Sequence, residues 1–320
     1  MPLVSVIIPN YNHDLFLKER IESVLNQTYT DFELIILDDH STDNSRDIVE
    51  KYRQHSKVSH IVYNDTNSGF PARQWQKGIQ FATGEWIWIA ESDDKADVHF
   101  LQNAIEILKS HPGIHCYYTD SYLINEKNEI LKKASDEKNI FFNTNKWSTH
   151  YLAKGIGEIN ECLKFQCTIN NVSAFVFKKN VFTSVQNEVI TYQYYCDWFF
   201  YIQALLRSDI YYNNNVLSSC RIHLKSFVNK EVPDVETKVE IFRILKFLLS
   251  CPDVKQKKEL VNFFCQCYLG TGWLKEGMRN TMKLLVNYFK TDRRLALRII
   301  SKLLWYKILR KKPASQVLNH

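Results

Sequence analysis

An α/β fold, with a mostly parallel sheet flanked by helices, is predicted by three features of this sequence. Short β-branched runs alternate with helical spacings of roughly a dozen residues along the N-terminal third. Three strands stop at polar turns, residues 9–12, 38–41 and 91–94. Their carboxyl ends therefore share one sheet edge, where open α/β folds bind ligands. Beyond Pro233 the spacing becomes wholly helical, adding a helical C-terminal extension.

The elements follow in order. Residues 3–9 form a buried parallel strand, broken by Pro9-Asn10-Tyr11-Asn12. Asp14 is expected to cap a helix carrying Leu17, Ile21, Val24 and Leu25 at helical spacing. Residues 32–37 are a second strand ending in Asp38-Asp39, and Ser41-Thr42-Asp43 opens a helix with Ile48, Val49 and Tyr52 inward. A third strand (58–63), a loop (64–69) and a helix (70–82) burying Trp75, Ile79 and Ala82 lead to an apolar strand, 86–90. That strand stops at Glu91, Asp93 and Asp94. A helix over 98–109 ends at His111-Pro112-Gly113, and a strand over 114–118 leaves Asp120 just past its end. From 124 to about 170 periodicity weakens, which reads as a long functional loop. Strand character resumes over 171–178, an aromatic-rich helix over 192–206 contains Asp197, and a last strand from 210 leads into Arg221-Ile222-His223. Residues 235–249, 258–269, 278–289 and 295–309 are helical by spacing. Two regions are expected, 1–230 and 231–320, the first divided near residue 120.

Composition narrows the classes. The 320 residues suffice for one large or two modest domains, and 45% hydrophobic with 24% charged residues is ordinary globular composition. A net charge of +6 does not announce nucleic acid, and none is expected as a partner. None of the eight cysteines forms a Cys-x-x-Cys pair, so they read as reduced thiols. Residues 1–5 enter a strand without a signal core, and no apolar run reaches the roughly 18–20 residues that span a bilayer. The expected location is the cytoplasm, or its face of the plasma membrane. Between Lys290 and Lys312 stand nine Lys/Arg and one acid, Asp292, interleaved with Leu295, Ile299, Ile300, Leu303, Leu304, Trp305, Ile308 and Leu309. A basic amphipathic helix suits an anionic membrane surface. Packing on the sheet domain, or a homo-oligomer contact, fits the same pattern. Residues 313–320 are expected to be disordered.

Absent motifs direct the chemistry. No Gly-x-x-x-x-Gly-Lys-Ser/Thr, Gly-x-Gly-x-x-Gly, Gly-x-Ser-x-Gly or His-Glu-x-x-His occurs. Glu91 and Asp93, one residue apart on an extended chain, point the same way. Such a pair can hold a divalent cation that in turn holds a polyphosphate.

Read together, these residues resemble the family-2 inverting glycosyltransferases. The matching pieces are Val4-Ser5-Val6-Ile7-Ile8-Pro9-Asn10-Tyr11-Asn12 and Phe32-Glu33-Leu34-Ile35-Ile36-Leu37-Asp38-Asp39-His40-Ser41-Thr42-Asp43. Asn67-Ser68-Gly69, Ala72-Arg73, Gly78, Ala82-Thr83-Gly84-Glu85 and Glu91-Ser92-Asp93-Asp94 follow in order, with weaker matches at Asp197 and Arg221-x-His223. The resemblance implies a GT-A-like fold with a Rossmann-like nucleotide-binding half over 1–120 and an acceptor-side half over 121–230. It implies transfer of a sugar from a nucleotide-diphosphate sugar, with UDP the expected nucleotide, to an acceptor hydroxyl with inversion. The setting it implies is bacterial surface-polysaccharide assembly, with a glycan or lipid-linked glycan as acceptor.

By the same resemblance, Tyr11 stacks on the base beside Pro9, and Asp39 accepts a hydrogen bond from the base imide. Asn12, Asn67, Gly69, Arg73 and Ser92 line the nucleotide-sugar site, with a surface salt bridge as the plainer alternative for Arg73. Asp93 ligates Mn²⁺ or Mg²⁺, and His223 approaches that metal. Glu91 stands where the family usually has Asp, leaving metal contact and ribose contact both open. Asp197 matches the catalytic base, although Cys196 replaces the acid that often precedes it. Two alternatives stand beside this reading. A nucleotidyltransferase needs a basic, Gly-rich loop after the first strand, which residues 9–14 lack. A non-catalytic nucleotide-sugar-binding protein is suggested by Glu91 and Cys196.

Overall fold

Four parallel strands, β1 (Val4–Asn10), β2 (Phe32–Asp38), β3 (Val58–Tyr63) and β4 (Trp86–Ile89), build one side of the sheet, with β1 between β2 and β4. A computed structural model describes residues 3–223, 234–269 and 277–308. Side chains alternate across β1: Val4, Val6 and Ile8 enter one core and Ile7 enters the other, as a period of two requires. Helices α1 (Asp14–Leu25), α2 (Ser45–Glu50), α3 (Pro71–Phe81) and α4 (Phe100–Ser110) cover the two faces. α1, α2 and α4 pack on the first core, while Trp75 and Ile79 of α3 join the second. Gly84 leads into β4 so close to β1 that a Cβ there would meet Ser5 N at 2.7 Å.

The remaining strands complete a ten-stranded sheet. They are β5 (Lys95–Ala96), β6 (Ile114–Ile124), β7 (Ile130–Lys133), β8 (Tyr151–Ala153), β9 (Phe175–Lys178) and β10 (Asp209–Arg221). Their order is β3-β2-β1-β4-β9-β6-β10-β5, with β7 on β6 and β8 on β10. β9 runs antiparallel to both β4 and β6, so the sheet is mixed at its centre.

Several expectations need correction. His13, not Asp14, precedes α1, and Asp14 instead accepts from Asn44 N at 3.3 Å, steadying the approach to α2. Asp120 lies inside β6, because β10 continues beside that strand and extends the ladder to Ile124. The 124–170 stretch is folded: β7, α5 (Ala134–Phe142), β8, α6 (Gly155–Glu158) and a wide turn, Ile159–Leu163, occupy it. These pieces are too short to show a period. They are fixed by buried residues such as Trp147, Lys138 and Glu158 instead of an aliphatic stripe. Residues 172–174 form a single tight turn before β9.

After β9 come α7 (Lys179–Thr183), α8 (Gln186–Val189) and α9 (Cys196–Leu205), so the aromatic helix starts four residues later than its spacing suggests. The C-terminal helices are α10 (Asp234–Ser250), α11 (Lys257–Phe264), α12 (Gly277–Thr291) and α13 (Arg293–Ile308). All four contribute to the core shared by α3 and α9. The expected boundary near 230 and the tail at 313–320 lie outside the described residues. Among the described residues, no helix is long and apolar enough to cross a membrane.

Candidate active site

The carboxyl ends of β1 and β2 are locked together by side chains. Asn10 Nδ2 donates to Asp38 Oδ2 (2.9 Å) and Ser41 Oγ (3.1 Å), and Asp38 Oδ1 accepts from Ser41 N (2.9 Å). Asn12 adopts φ +58°, and its Oδ1 accepts from Thr42 N at 2.8 Å. Pro9 is buried in β1, and Tyr11 stands at the lip, 41% exposed.

Asp39 anchors the next loop. Its carboxylate accepts from Ser68 N (3.0 Å), Ser68 Oγ (2.7 Å), Gln74 Nε2 (2.9 Å) and Asn64 Nδ2 (2.5 Å). Asn67 Nδ2 donates to Asp39 O, and Asn67 Oδ1 accepts from Gly69 N, where the chain turns at φ +68°. Arg73 makes no ion pair among the described residues; its guanidinium lies 3.8 Å from the Phe70 ring centre and donates to Ser68 O. Asp39 is therefore bonded to the loop expected to face the nucleotide.

Beyond β4 the acids separate. Glu91 accepts from Trp75 Nε1 (2.9 Å), and its backbone N–H donates to Ser173 Oγ (3.0 Å). Burial, reinforced by Asp93, raises the Glu91 pKa to about 8. Asp93 meets His223 Nε2 at 3.1 Å through Oδ2. Burial opposes ionisation of Asp93, yet His223 and His13 together outweigh it and hold the carboxyl below its usual range. Ser92 is buried and bonds His13 Nδ1 at 2.8 Å. His13, Asp93 and His223 bring one ligand atom each to within 4.8 Å of one another. A carboxylate with two imidazoles suits borderline divalent ions, Mn²⁺ among them, better than Mg²⁺, which takes oxygen ligands. Glu91 is not in that group.

Two arginines support this corner. Arg221 donates from Nε to Asp93 O (2.8 Å) and from its backbone to Asp94 Oδ1 (2.9 Å), and pairs with Glu19 at 2.8 Å. Asp94 is also held by Asn171 Nδ2 at 3.0 Å. Arg20 on α1 is fully buried, and among the described residues none of its three guanidinium nitrogens has a hydrogen-bond partner. Its guanidinium lies 5.1 Å from the Trp88 ring centre. Burial lowers its pKa to about 10 against the opposing pull of Asp94, Asp93 and Glu91.

Asp197 occupies the first turn of α9, half-buried, with Oδ1 accepting from Trp198 N at 2.7 Å. Burial raises its pKa to about 6. It belongs to the same neighbourhood as Glu91, since both carboxylates add to the effect of burial in raising the Cys196 and Tyr201 pKa values. Gln193, just before α9, donates from Nε2 to Gly69 O at 2.9 Å and ties that segment to the nucleotide-side loop.

The structure thus gathers Glu91, Ser92, Asp93 and His223 at one corner and ties Asp39, Asn67, Gly69 and Arg73 into one loop. Sequence reasoning missed His13 and Arg20. Arg20 did leave a signal: it interrupts the apolar stripe of Leu17, Ile21 and Val24 at a helical position that faces the core. His13 left none beyond its place in a polar turn.

The model of glycosyl transferase family 2 matches residues 5–182. Over 107 residues the chain is 37% identical to TuaG of Bacillus subtilis, a glycosyltransferase assigned to teichuronic acid biosynthesis, covering 33% of this chain and 42% of TuaG. It is 36% identical over 111 residues to the poly(ribitol-phosphate) β-N-acetylglucosaminyltransferase TarS of Staphylococcus aureus, covering 33% of this chain and 19% of TarS. The matches thus span less than half the length of these curated relatives. The crystal structure of TarS 1–349 with UDP-GlcNAc superposes with a TM-score of 0.69 at 17% identity, covering 93% of this chain and 83% of that one. A mannosyltransferase from Pyrobaculum calidifontis with GDP-Man and Mn²⁺ gives 0.58 at 14% identity, covering 96% and 88%. These structures establish a shared fold.

Proposed function

We propose that this chain, which belongs to glycosyl transferase family 2 and is a glycosyltransferase of GT-A-like fold, transfers a sugar with inversion from a nucleotide-diphosphate sugar, UDP-linked in the simplest case, to an acceptor hydroxyl. The observation that carries this reading is the arrangement of acids. An ionised Asp93 sits between two histidines at the end of β4, while the start of α9 holds Asp197 with a raised proton affinity.

His13, Asp93 and His223 are the residues that would hold a divalent ion, Mn²⁺ in preference to Mg²⁺ given the two imidazoles. Such an ion would supply positive charge to the leaving diphosphate. Ser92 fixes the His13 ring by bonding Nδ1. Glu91, tied to Trp75, is assigned to the sugar or ribose rather than the metal. Pro9, Tyr11 and Asn12 form the lip for the base, with Tyr11 stacking on it. Asp39, buried and accepting from Ser68, Asn64 and Gln74, is assigned to the base imide and would exchange one of those bonds for it, with Asn67, Gly69 and Arg73 shaping the loop around it. Asp197 takes the acceptor hydroxyl proton as that oxygen attacks the anomeric carbon. Cys196 cannot substitute for it, because burial keeps its thiol protonated.

The TarS complex with UDP-GlcNAc and the mannosyltransferase complex with GDP-Man support a nucleotide-sugar donor. The names of TuaG and TarS support a role in surface-polysaccharide assembly, and the acceptor proposed for this chain is a glycan or lipid-linked glycan. A peripheral membrane contact through α13 completes the proposal: Arg293, Arg294, Leu297, Arg298, Leu304 and Trp305 are all exposed on it. The test is a screen of nucleotide sugars with Mn²⁺, read first by thermal stabilisation and then by the anomeric configuration of the glycoside formed. Inversion from a UDP-sugar is expected. A retained configuration, or no response to any nucleotide sugar with Mn²⁺, contradicts the proposal.

A further inference from the structure

Tyr195, the residue before α9, makes no side-chain capping bond, and within the first turn Asp197 accepts from Trp198 N. The backbone N–H groups of the approach to the helix find their acceptor on another helix. Glu240 of α10, only 7% exposed, accepts from Gln193 N at 2.6 Å through Oε1, and from Tyr194 N at 2.9 Å and Tyr195 N at 3.0 Å through Oε2. Three amides on one carboxylate at the positive end of a helix is a strong, charge-assisted arrangement.

One turn further along α10, Arg243 donates from Nη1 to Thr191 O (3.1 Å) and from Nη2 to Thr191 Oγ1 (2.5 Å), and its guanidinium lies 4.0 Å from the Tyr192 ring centre. Every residue from 191 to 195 is therefore gripped by α10. The segment's far side reaches the nucleotide-side loop through Gln193 Nε2 and Gly69 O. Asp197 follows two residues after this grip, in a first turn whose direction the grip sets.

We infer that Glu240 and Arg243 of α10 are positioning residues for Asp197, clamping residues 191–195 so that the base faces the donor loop. The C-terminal helical region then completes the site. A helix start released from its acceptors shifts and frays, and misplacement of a base by about 1 Å costs on the order of 100-fold in turnover. Donor binding depends on the corner at Asp93 and on the Asp39 loop, which the clamped segment touches only through Gln193 Nε2 and Gly69 O, so the clamp acts mainly on kcat and only slightly on the donor KM.

This inference rests on Asp197 being the base, and its test separates the two claims. Glu240→Ala, Glu240→Gln, Arg243→Ala and Asp197→Asn are compared in the full chain for kcat, donor KM and amide exchange at residues 193–195. Glu240→Ala is expected to lower kcat about 100-fold at a donor KM changed less than about 3-fold, with amide exchange at 193–195 accelerated at least tenfold. Glu240→Gln, which keeps one carbonyl acceptor, should recover part of both losses, and its melting temperature verifies that folding is intact. Arg243→Ala should lower kcat by a smaller factor. If Asp197→Asn is inactive while Glu240→Ala turns over like the parent, or if exchange at 193–195 is unchanged, the clamp is overturned and the base assignment stands. Turnover retained by Asp197→Asn overturns both.

Discussion

The end of β4 and the start of α9 each hold a half-buried carboxylate, and they treat it in opposite ways. Asp93 is drawn into a pair of imidazoles and kept ionised. Asp197 accepts from the local amides of Trp198 and of its own backbone, and burial outweighs them, so that it holds its proton to about pH 6. Opposed proton affinities within one site are what divides labour between a charge-bearing group and a proton acceptor. Side-chain identity is the same in both places, so the surroundings assign the roles.

The strongest way to break this contrast is to remove the two groups one at a time. Asp197→Asn should lower transfer by about 10²–10⁴-fold, the usual worth of a positioned base. Asp93→Ala should lower it at least as much. Comparable activity in either variant under saturating donor contradicts the division. A second expected effect is on the frame beneath the corner. Arg20→Met removes a buried cation that pulls on Asp94, Asp93 and Glu91 and at the same time relieves the burial of the guanidinium, so those acids should titrate at higher pH in the variant while stability in urea unfolding changes by less than about 1 kcal/mol. Unchanged titration of all three acids shows that Arg20 balances nothing.

A third consequence is in the pH profile. In the proposed role of base Asp197 would act only when deprotonated, and its proton leaves near pH 6, so kcat should be level above that pH and fall about tenfold per unit below it. A fall centred near pH 4 means the base is a carboxylate with an ordinary proton affinity. The smallest expected effect concerns Glu91. Trp75→Phe deletes its one indole hydrogen bond, costing about 1 kcal/mol of stability and leaving Mn²⁺ affinity unchanged. A large loss of Mn²⁺ affinity in that variant puts Glu91 on the metal.

How much of this was legible depended on how local each feature is. The strands of the N-terminal third announce themselves, because a buried parallel strand is a continuous apolar run and its end is marked by acids and Asn, as at Asp38 and Glu91. Asp39 stood out on the same ground, yet its bonds to Ser68 and Gln74 join residues from a later loop and helix that nothing in the sequence pairs with it. His223 meets Asp93 across a separation of 130 residues, and His13 comes from the opposite direction. Convergence of that kind has no period to detect. Residues 124–170 hid their elements for a different reason. Buried polar groups fix them there, as when Lys146 bonds Glu158 at 2.6 Å, and such positions read as loop in a hydrophobic pattern. The grip of α10 on residues 191–195 was equally invisible, since Glu240 looks like one more charge on an amphipathic helix.

Calorimetric titration of UDP with and without Mn²⁺, into the parent chain, Asp93→Ala and Asp197→Asn, bears most directly on the contrast between the two carboxylates. The parent and Asp197→Asn should bind UDP with the same Mn²⁺-dependent affinity, while Asp93→Ala should bind weakly and with no response to Mn²⁺. Mn²⁺-dependent binding that survives in Asp93→Ala, or that disappears in Asp197→Asn, contradicts it.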